Sequence, residues 1–174
     1  MPLRNLTVPG VMAPRLKDRF SRQERELMLK DGISTTTVDA GGNVILERVI
    51  TNYQKNVMGI DDESLLRLET KWSADYFRYF VRSIVATEFP RNKLADDGTK
   101  IKPGSKTVTP QMIGDVVYAR CGPLEGELIE DMADFKKNTM WVRSEADPDR
   151  VNAILAPNLV NQFVTFAAAV QYRM

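Results

Sequence analysis

A chain of 174 residues, 43% of them hydrophobic, is long enough to bury one real core and reads as a single domain. Its 24 basic and 23 acidic residues leave a net charge of +1, which supplies no broad field for nucleic acid or an anionic membrane. Histidine is absent and Cys121 is the sole cysteine, so His-based triads, Cys–His catalysis, ordinary zinc sites and internal disulfides are excluded.

Only carboxylate or lysine chemistry remains open to an enzyme, and the expectation is a protein that binds or builds, with no cofactor and no metal. No stretch reaches the roughly 18 consecutive apolar residues of a membrane-spanning helix. The opening MPLRNLTVPGVMAP lacks the apolar run of a signal peptide. A lone cysteine fits a reducing compartment.

Residues 1–20 contain Pro2, Pro9, Gly10 and Pro14 and read as an extended segment. SRQERELMLKDG follows, with Ser21 and Glu24 at capping-box spacing and Gly32 placed to end a helix. Two β-branched runs, Ile33 to Val38 and Val44 to Thr51, flank Gly41-Gly42 and predict a hairpin.

The longest helix is expected to open at Asp61 or Asp62 and run to Glu88, before Phe89-Pro90, spanning about 40 Å. Leu65, Leu68, Trp72, Tyr76 and Tyr79 form one stripe, widened by Leu66, Phe77, Phe80 and Ile84, and are expected to face the core. Arg67, Lys71, Arg78 and Arg82 cluster within about 60° on the opposite side, with Asp75 among them. Such a ridge is either a solvated face with local ion pairs or a surface for an acidic partner. Separation of basic from aromatic residues argues against a single-strand nucleic-acid platform.

RNKLADDGTKIKPGSKT reads as a loop. Thr109-Pro110 starts a helix over Gln111 to Cys121, ended by Gly122-Pro123. A short helix then runs to about Lys136, followed by strands at NTMWVRSEA and VNAILA. Asp96, Asp97, Asp147 and Asp149 lack calcium-loop spacing and read as turn residues. Cys121, at a helix end rather than an N-terminus, reads as a packed thiol.

The last fourteen residues, Asn161 to Met174, carry the clearest period-2 pattern. Val164, Phe166, Ala168, Val170, Tyr172 and Met174 alternate with Phe163, Thr165, Ala167, Ala169, Gln171 and Arg173. No charge lies between Val164 and Ala169, so nothing blunts this strand against pairing. It either pairs with Val151 to Ala156 or suits addition to a neighbour's sheet. Pro157 and Asn158 mark the bend before it and are the candidate hinge.

DGISTTTVDAGGNVILERVITNYQ, FPRNKLADDG, VTPQMI and DPDRVNAILAPNLVNQFVTFAAAVQYRM together resemble the contractile-tail sheath proteins of Mu-like bacteriophages and prophages, over nearly all of residues 15–174. The resemblance implies the C-terminal portion of a longer sheath subunit, located in the virion tail and, during assembly, in the host cytoplasm. It implies hexameric rings of like subunits around a tail tube, and chain arms that add strands to neighbouring sheets. The expected fold is α+β, a mixed or antiparallel sheet flanked by helices around one long central helix. The expected organisation is an extended segment at 1–20, an α+β domain at 21–160 and a C-terminal arm at 161–174. In this scheme Phe163, Val164, Thr165, Phe166, Ala167, Ala168, Ala169, Val170, Gln171 and Tyr172 link subunits. Arg67, Lys71, Arg78 and Arg82 are the candidate tube-facing ridge. The partners are other sheath subunits and the tube protein, with no nucleic acid and no membrane. The alternative is a stand-alone module capturing a peptide strand or nucleic acid, and a weaker one is a hydrolase fragment using carboxylates.

Overall fold

A computed structural model describes residues 2–172, which leaves Met1, Arg173 and Met174, the last two positions of the predicted arm, outside the described residues. The described residues fall into two compact units, those of Met1–Trp72 with Asn161–Met174 and those of Ser73–Val160. The division lies within the span that the sequence reads as one domain. The fold is α+β, as expected, and its sheet component is three separate two-stranded ladders rather than one sheet.

In the first unit, α1 (Arg22–Lys30) opens on the predicted capping box. Ser21 Oγ accepts from the Glu24 amide at 3.3 Å while a Glu24 carboxylate oxygen accepts from the Ser21 amide at 2.7 Å. Gly32, at φ +78°, ends it in the left-handed conformation, which glycine adopts without Cβ strain. The hairpin follows, β1 (Thr35–Val38) antiparallel to β2 (Val44–Arg48). Asp39 closes its turn, with one carboxylate oxygen accepting from the Asn43 amide at 2.8 Å.

The N-terminal segment is not a free arm. The Asn5 amide donates to Leu46 O at 2.8 Å, Leu46 N to Leu6 O at 2.9 Å, and Val8 N to Val44 O at 2.8 Å. Residues 5–8 thus occupy the outer edge of β2. The pairing is non-local, and Pro9-Gly10 ends it immediately, which is why composition alone suggests an unpaired stretch.

α2 (Leu68–Glu88) begins later than predicted. Asp62 is used otherwise: its carboxylate accepts from the Tyr53 hydroxyl at 2.6 Å and from the Ser64 amide at 2.9 Å, folding 61–67 into turns. With 21 residues the helix is roughly 31 Å long, not 40.

The second unit carries the core. Phe77, Val81 and Ile84 of α2 pack with Val108, Ile113, Val117, Cys121, Leu124, Ile129, Met132 and Phe135. Phe77 meets Phe135 edge to face, with centroids 5.6 Å apart. α3 (Pro110–Cys121) has proline at its first position and Thr109 as its cap, whose hydroxyl accepts from Met112 N at 3.3 Å. A 3-10 turn at Gly122–Leu124 and α4 (Met132–Lys137), capped by Asp131, complete the helices. The region read as a loop contributes a short parallel ladder, β3 (Lys93–Leu94) with β4 (Thr107–Val108). Last, β5 (Met140–Arg143) pairs antiparallel with β6 (Val151–Ile154).

Candidate functional site

Residues 161–172 form no strand and no bridge, so β6 takes β5 as its partner and not the terminal segment. Phe163 and Phe166 are each 79% exposed and Tyr172 is 92% exposed. One polar tie to the body of the unit is a hydrogen bond from the Arg4 guanidinium to Val164 O. Phe163 and Val164 line a cavity of about 500 Å³ with Arg4, Leu29, Glu47 and Arg67. A charge-free segment is thus laid against a surface of mixed apolar and charged residues without backbone pairing.

The hairpin beside it is asymmetric. The edge of β2 is occupied by residues 5–8, whereas β1 has β2 as its only strand partner among the described residues. Thr35–Val38 contain no charge and no proline, so the edge that remains is unprotected. The hairpin is braced from α1, where Arg25 grips the Glu47 carboxylate at 2.7 and 3.2 Å in a two-pronged pair. Partial burial pushes the Glu47 carboxyl up, but the Arg25 hydrogen bonds, the Thr35 hydroxyl and the charges of Arg25 and Arg4 together outweigh it and hold it below the ordinary value.

The candidate hinge at Pro157 and Asn158 is tied down. The Asn158 side-chain amide donates to Glu130 Oε2 at 3.0 Å, and Asn158 O accepts from Glu130 N at 2.8 Å. Val160 N donates to Leu128 O at 3.0 Å. The last anchored residue before the segment is therefore Val160, three positions beyond Pro157.

On α2 the expected orientation is corrected. Trp72, Tyr76 and Tyr79 are exposed by 51, 50 and 69%, and the buried side is Phe77, Val81 and Ile84. Leu65 and Leu66 precede the helix altogether. Lys71, Arg78 and Arg82 are exposed too, so the basic ridge and the aromatic stripe adjoin one solvent-facing half of the helix rather than dividing core from solvent. Arg67 stands before the helix, bridged to Ile50, and lines the 500 Å³ cavity. Arg78 makes an exposed pair with Asp75 at 3.7 Å, worth little in water.

The remaining sequence expectations concern chemistry. Asp97 accepts from the Gln111 amide at 3.0 Å, Asp96 pairs with Arg143 at 3.0 Å, and Asp147 accepts from the Asp149 amide at 3.1 Å. Asp97 and Asp147 thus bind backbone amides, and Asp96 a guanidinium. Cys121 is buried, and burial pushes its thiol up to about 11, so little thiolate forms at neutral pH. Among the described residues no cluster of three or more His, Cys, Asp or Glu could hold a metal, and no helix is long and apolar enough to cross a membrane.

Sequence reasoning missed the free edge of β1, because the pairing that fills β2 is non-local. What the described residues define is an α+β chain whose notable surfaces are an open strand edge, an apolar unpaired segment and an aromatic–basic helix face, all suited to association. The chain is similar to the Mu-like prophage FluMu tail sheath protein of Haemophilus influenzae, 42% identical over 166 residues, which is 95% of this chain and 34% of that protein. The resemblance read from the sequence motifs is thereby shown. The chain spans about a third of the length of this relative. No family model matches it.

Proposed function

We propose that the chain is a structural part of a contractile phage tail sheath, packed around a tail tube and linked to neighbouring subunits by strand exchange. The observation that carries this reading is the similarity to a tail sheath protein over 95% of the chain. The unpaired segment 161–172 and the open edge of β1 support its finer form. The segment from one subunit adds to the Thr35–Val38 edge of the next, because the β2 edge is already filled by residues 5–8. Main-chain hydrogen bonds then hold subunits together while they shift, and the stored difference between two packings drives contraction with no active site. The outer face of α2, with Lys71, Arg78 and Arg82 beside Trp72, Tyr76 and Tyr79, is the surface offered to the tube. The Pro157–Asn158 hinge bends when its two bonds to Glu130 part.

The test uses the chain shortened to residues 1–160 and a labelled peptide of residues 161–174. Saturable binding, with slowed amide exchange at Thr36 and Val38, is the expected result. No binding, or protection elsewhere with β1 unchanged, overturns strand donation to this edge. Capture of single-stranded nucleic acid by the intact chain, weakening steeply with salt, would favour the binding-module alternative instead.

A further inference from the structure

The two stretches of chain that make up the first unit meet at one side chain, Arg4. Leu6 N donates to Leu3 O at 3.2 Å, which closes a reverse turn with Arg4 and Asn5 at its central positions. Asn5, at φ +65°, supplies the left-handed residue, a conformation that asparagine takes more readily than most side chains. The turn is fastened on both sides by bonds to distant residues. Leu3 N donates to Glu69 Oε1 at 3.3 Å, and Asn5 N to Leu46 O at 2.8 Å. An exposed arginine is thus presented from a fixed backbone, so little chain entropy is lost when it binds.

Its partner follows from the charges around it. The Arg4 charge lies close enough to Glu47 to help hold that carboxyl down, yet both Glu47 oxygens already accept from Arg25. A guanidinium carries several N–H donors, and one of those on Arg4 goes to Val164 O instead. Gln162 and Val164 are half-buried, whereas every residue from Thr165 to Tyr172 is exposed. Arg4, Phe163 and Val164 line both the 500 Å³ cavity and a second of about 520 Å³. The segment therefore crosses open space and is fastened at a point, not packed along its length.

We infer that Arg4 is a retaining contact for the terminal segment: it holds residues 162–164 on their own unit and leaves 165–172 free as the part that pairs first. What the free part pairs with rests on the strand-donation reading above, and the retaining contact itself does not. A ladder run through residues 163–165 would draw on the main-chain groups that Arg4 engages, so a strand begun at the free end advances only as Arg4 lets go. A single charge-assisted bond at an exposed site is weak enough to be displaced in this way. Arg4 thus governs when the segment is given up, without altering the edge that receives it.

Spin labels on the dilute, intact chain test the contact without a second copy. One label goes at Gln23→Cys on α1 and the other at Thr165→Cys or Val170→Cys, all exposed positions, while buried Cys121 is spared. The distance from 23 to 165 should be narrowly distributed and that from 23 to 170 broad. Arg4→Ala should broaden the first, and Arg4→Lys, which keeps a charged N–H donor, should restore most of it. Arg4 is exposed, and unchanged circular dichroism verifies folding. A distance to 165 as broad as that to 170, or one that Arg4→Ala leaves unchanged, overturns the inference. The second readout is the onset of amide protection from Phe163 to Tyr172 after the chain is concentrated. It should come about fivefold sooner in Arg4→Ala than in wild type, the worth of one hydrogen bond of ordinary net strength. Equal onset overturns the retaining role. Protection in neither chain overturns strand donation instead, and the distances still decide the contact.

Discussion

Phe135 and Phe166 are the same side chain in opposite circumstances. The first is 2% exposed against Phe77, while the second is 79% exposed on a segment without strand partners. The contrast extends to the units that hold them. Among the described residues twelve hydrophobic side chains are buried, of which eleven belong to Ser73–Val160 and Val44 to the other unit. One region is stabilised by its own apolar packing. The other is held by hydrogen bonds, a capping box and a buttressed ion pair, and leaves nearly all of its apolar side chains half-buried or exposed. A region built that way gains most from a partner.

The largest effect should come from breaking the packed region. Phe135→Ala removes a buried ring and its edge-to-face partner contact, and is expected to cost about 3–5 kcal/mol. Chemical denaturation followed by circular dichroism measures it, and a cost near 1 would mean that the core collapses around the gap. Gly114→Ala comes next. Its new Cβ would meet the Trp141 ring at 2.6 and 2.8 Å, so the indole must move, at about 1–3 kcal/mol of overpacking. Trp141 fluorescence should shift with it, which a purely backbone effect of the substitution would not produce.

Local signals in the sequence were legible in both regions, and long-range ones were not. Ser21 with Glu24, Gly41-Gly42, and Thr109 with Pro110 act within a few residues, and each forms the predicted cap or turn. The α2 periodicity placed Phe77 and Ile84 in the core, where they are, but put the exposed Trp72, Tyr76 and Tyr79 there with them. Tyrosine and tryptophan weigh as apolar in the pattern while tolerating water at their polar ends, and the smaller set Phe77, Val81 and Ile84 is what packs. The parallel pair β3–β4 and the pairing of residues 5–8 with β2 join segments distant in sequence, so no window of residues contains them. Alternation in 161–172 was plain to read. Its partner is not written in it, since period 2 fixes faces and leaves the neighbour open.

In the hydrogen-bonded region the effects should be smaller and depend on pH. Glu47 has its carboxyl held below the ordinary 4.5, and Glu24, Asp39 and Asp62 are shifted the same way by hydrogen bonds they accept. A depressed folded-state pKa stabilises above the unfolded value and is lost as pH falls through the folded one. Stability of this unit should therefore be flat from neutral pH down to about pH 4.5 and fall below it. Glu47→Gln keeps the shape and removes the charge, at about 1 kcal/mol near pH 7. The difference between wild type and Glu47→Gln should shrink toward pH 3. A difference independent of pH would show that Arg25 and Glu47 act by packing rather than by charge.

The smallest effect on the isolated chain should come from the exposed segment, and that is where the comparison is sharpest. Phe163→Ser with Phe166→Ser should leave unfolding stability within about 0.5 kcal/mol, because both rings already face water. Amides from Phe163 to Tyr172, without backbone partners, should exchange at nearly unprotected rates in the dilute chain. The same substitutions should nonetheless weaken association strongly, and in the associated state these amides should become slow to exchange. A residue that is silent in the folded chain and decisive in the assembly belongs energetically to the neighbour. If the double substitution instead destabilises the monomer by 2 kcal/mol or more, the segment is a working part of its own unit. Strand donation would then have to overcome that cost each time a subunit joined, and the β1 edge would need another occupant.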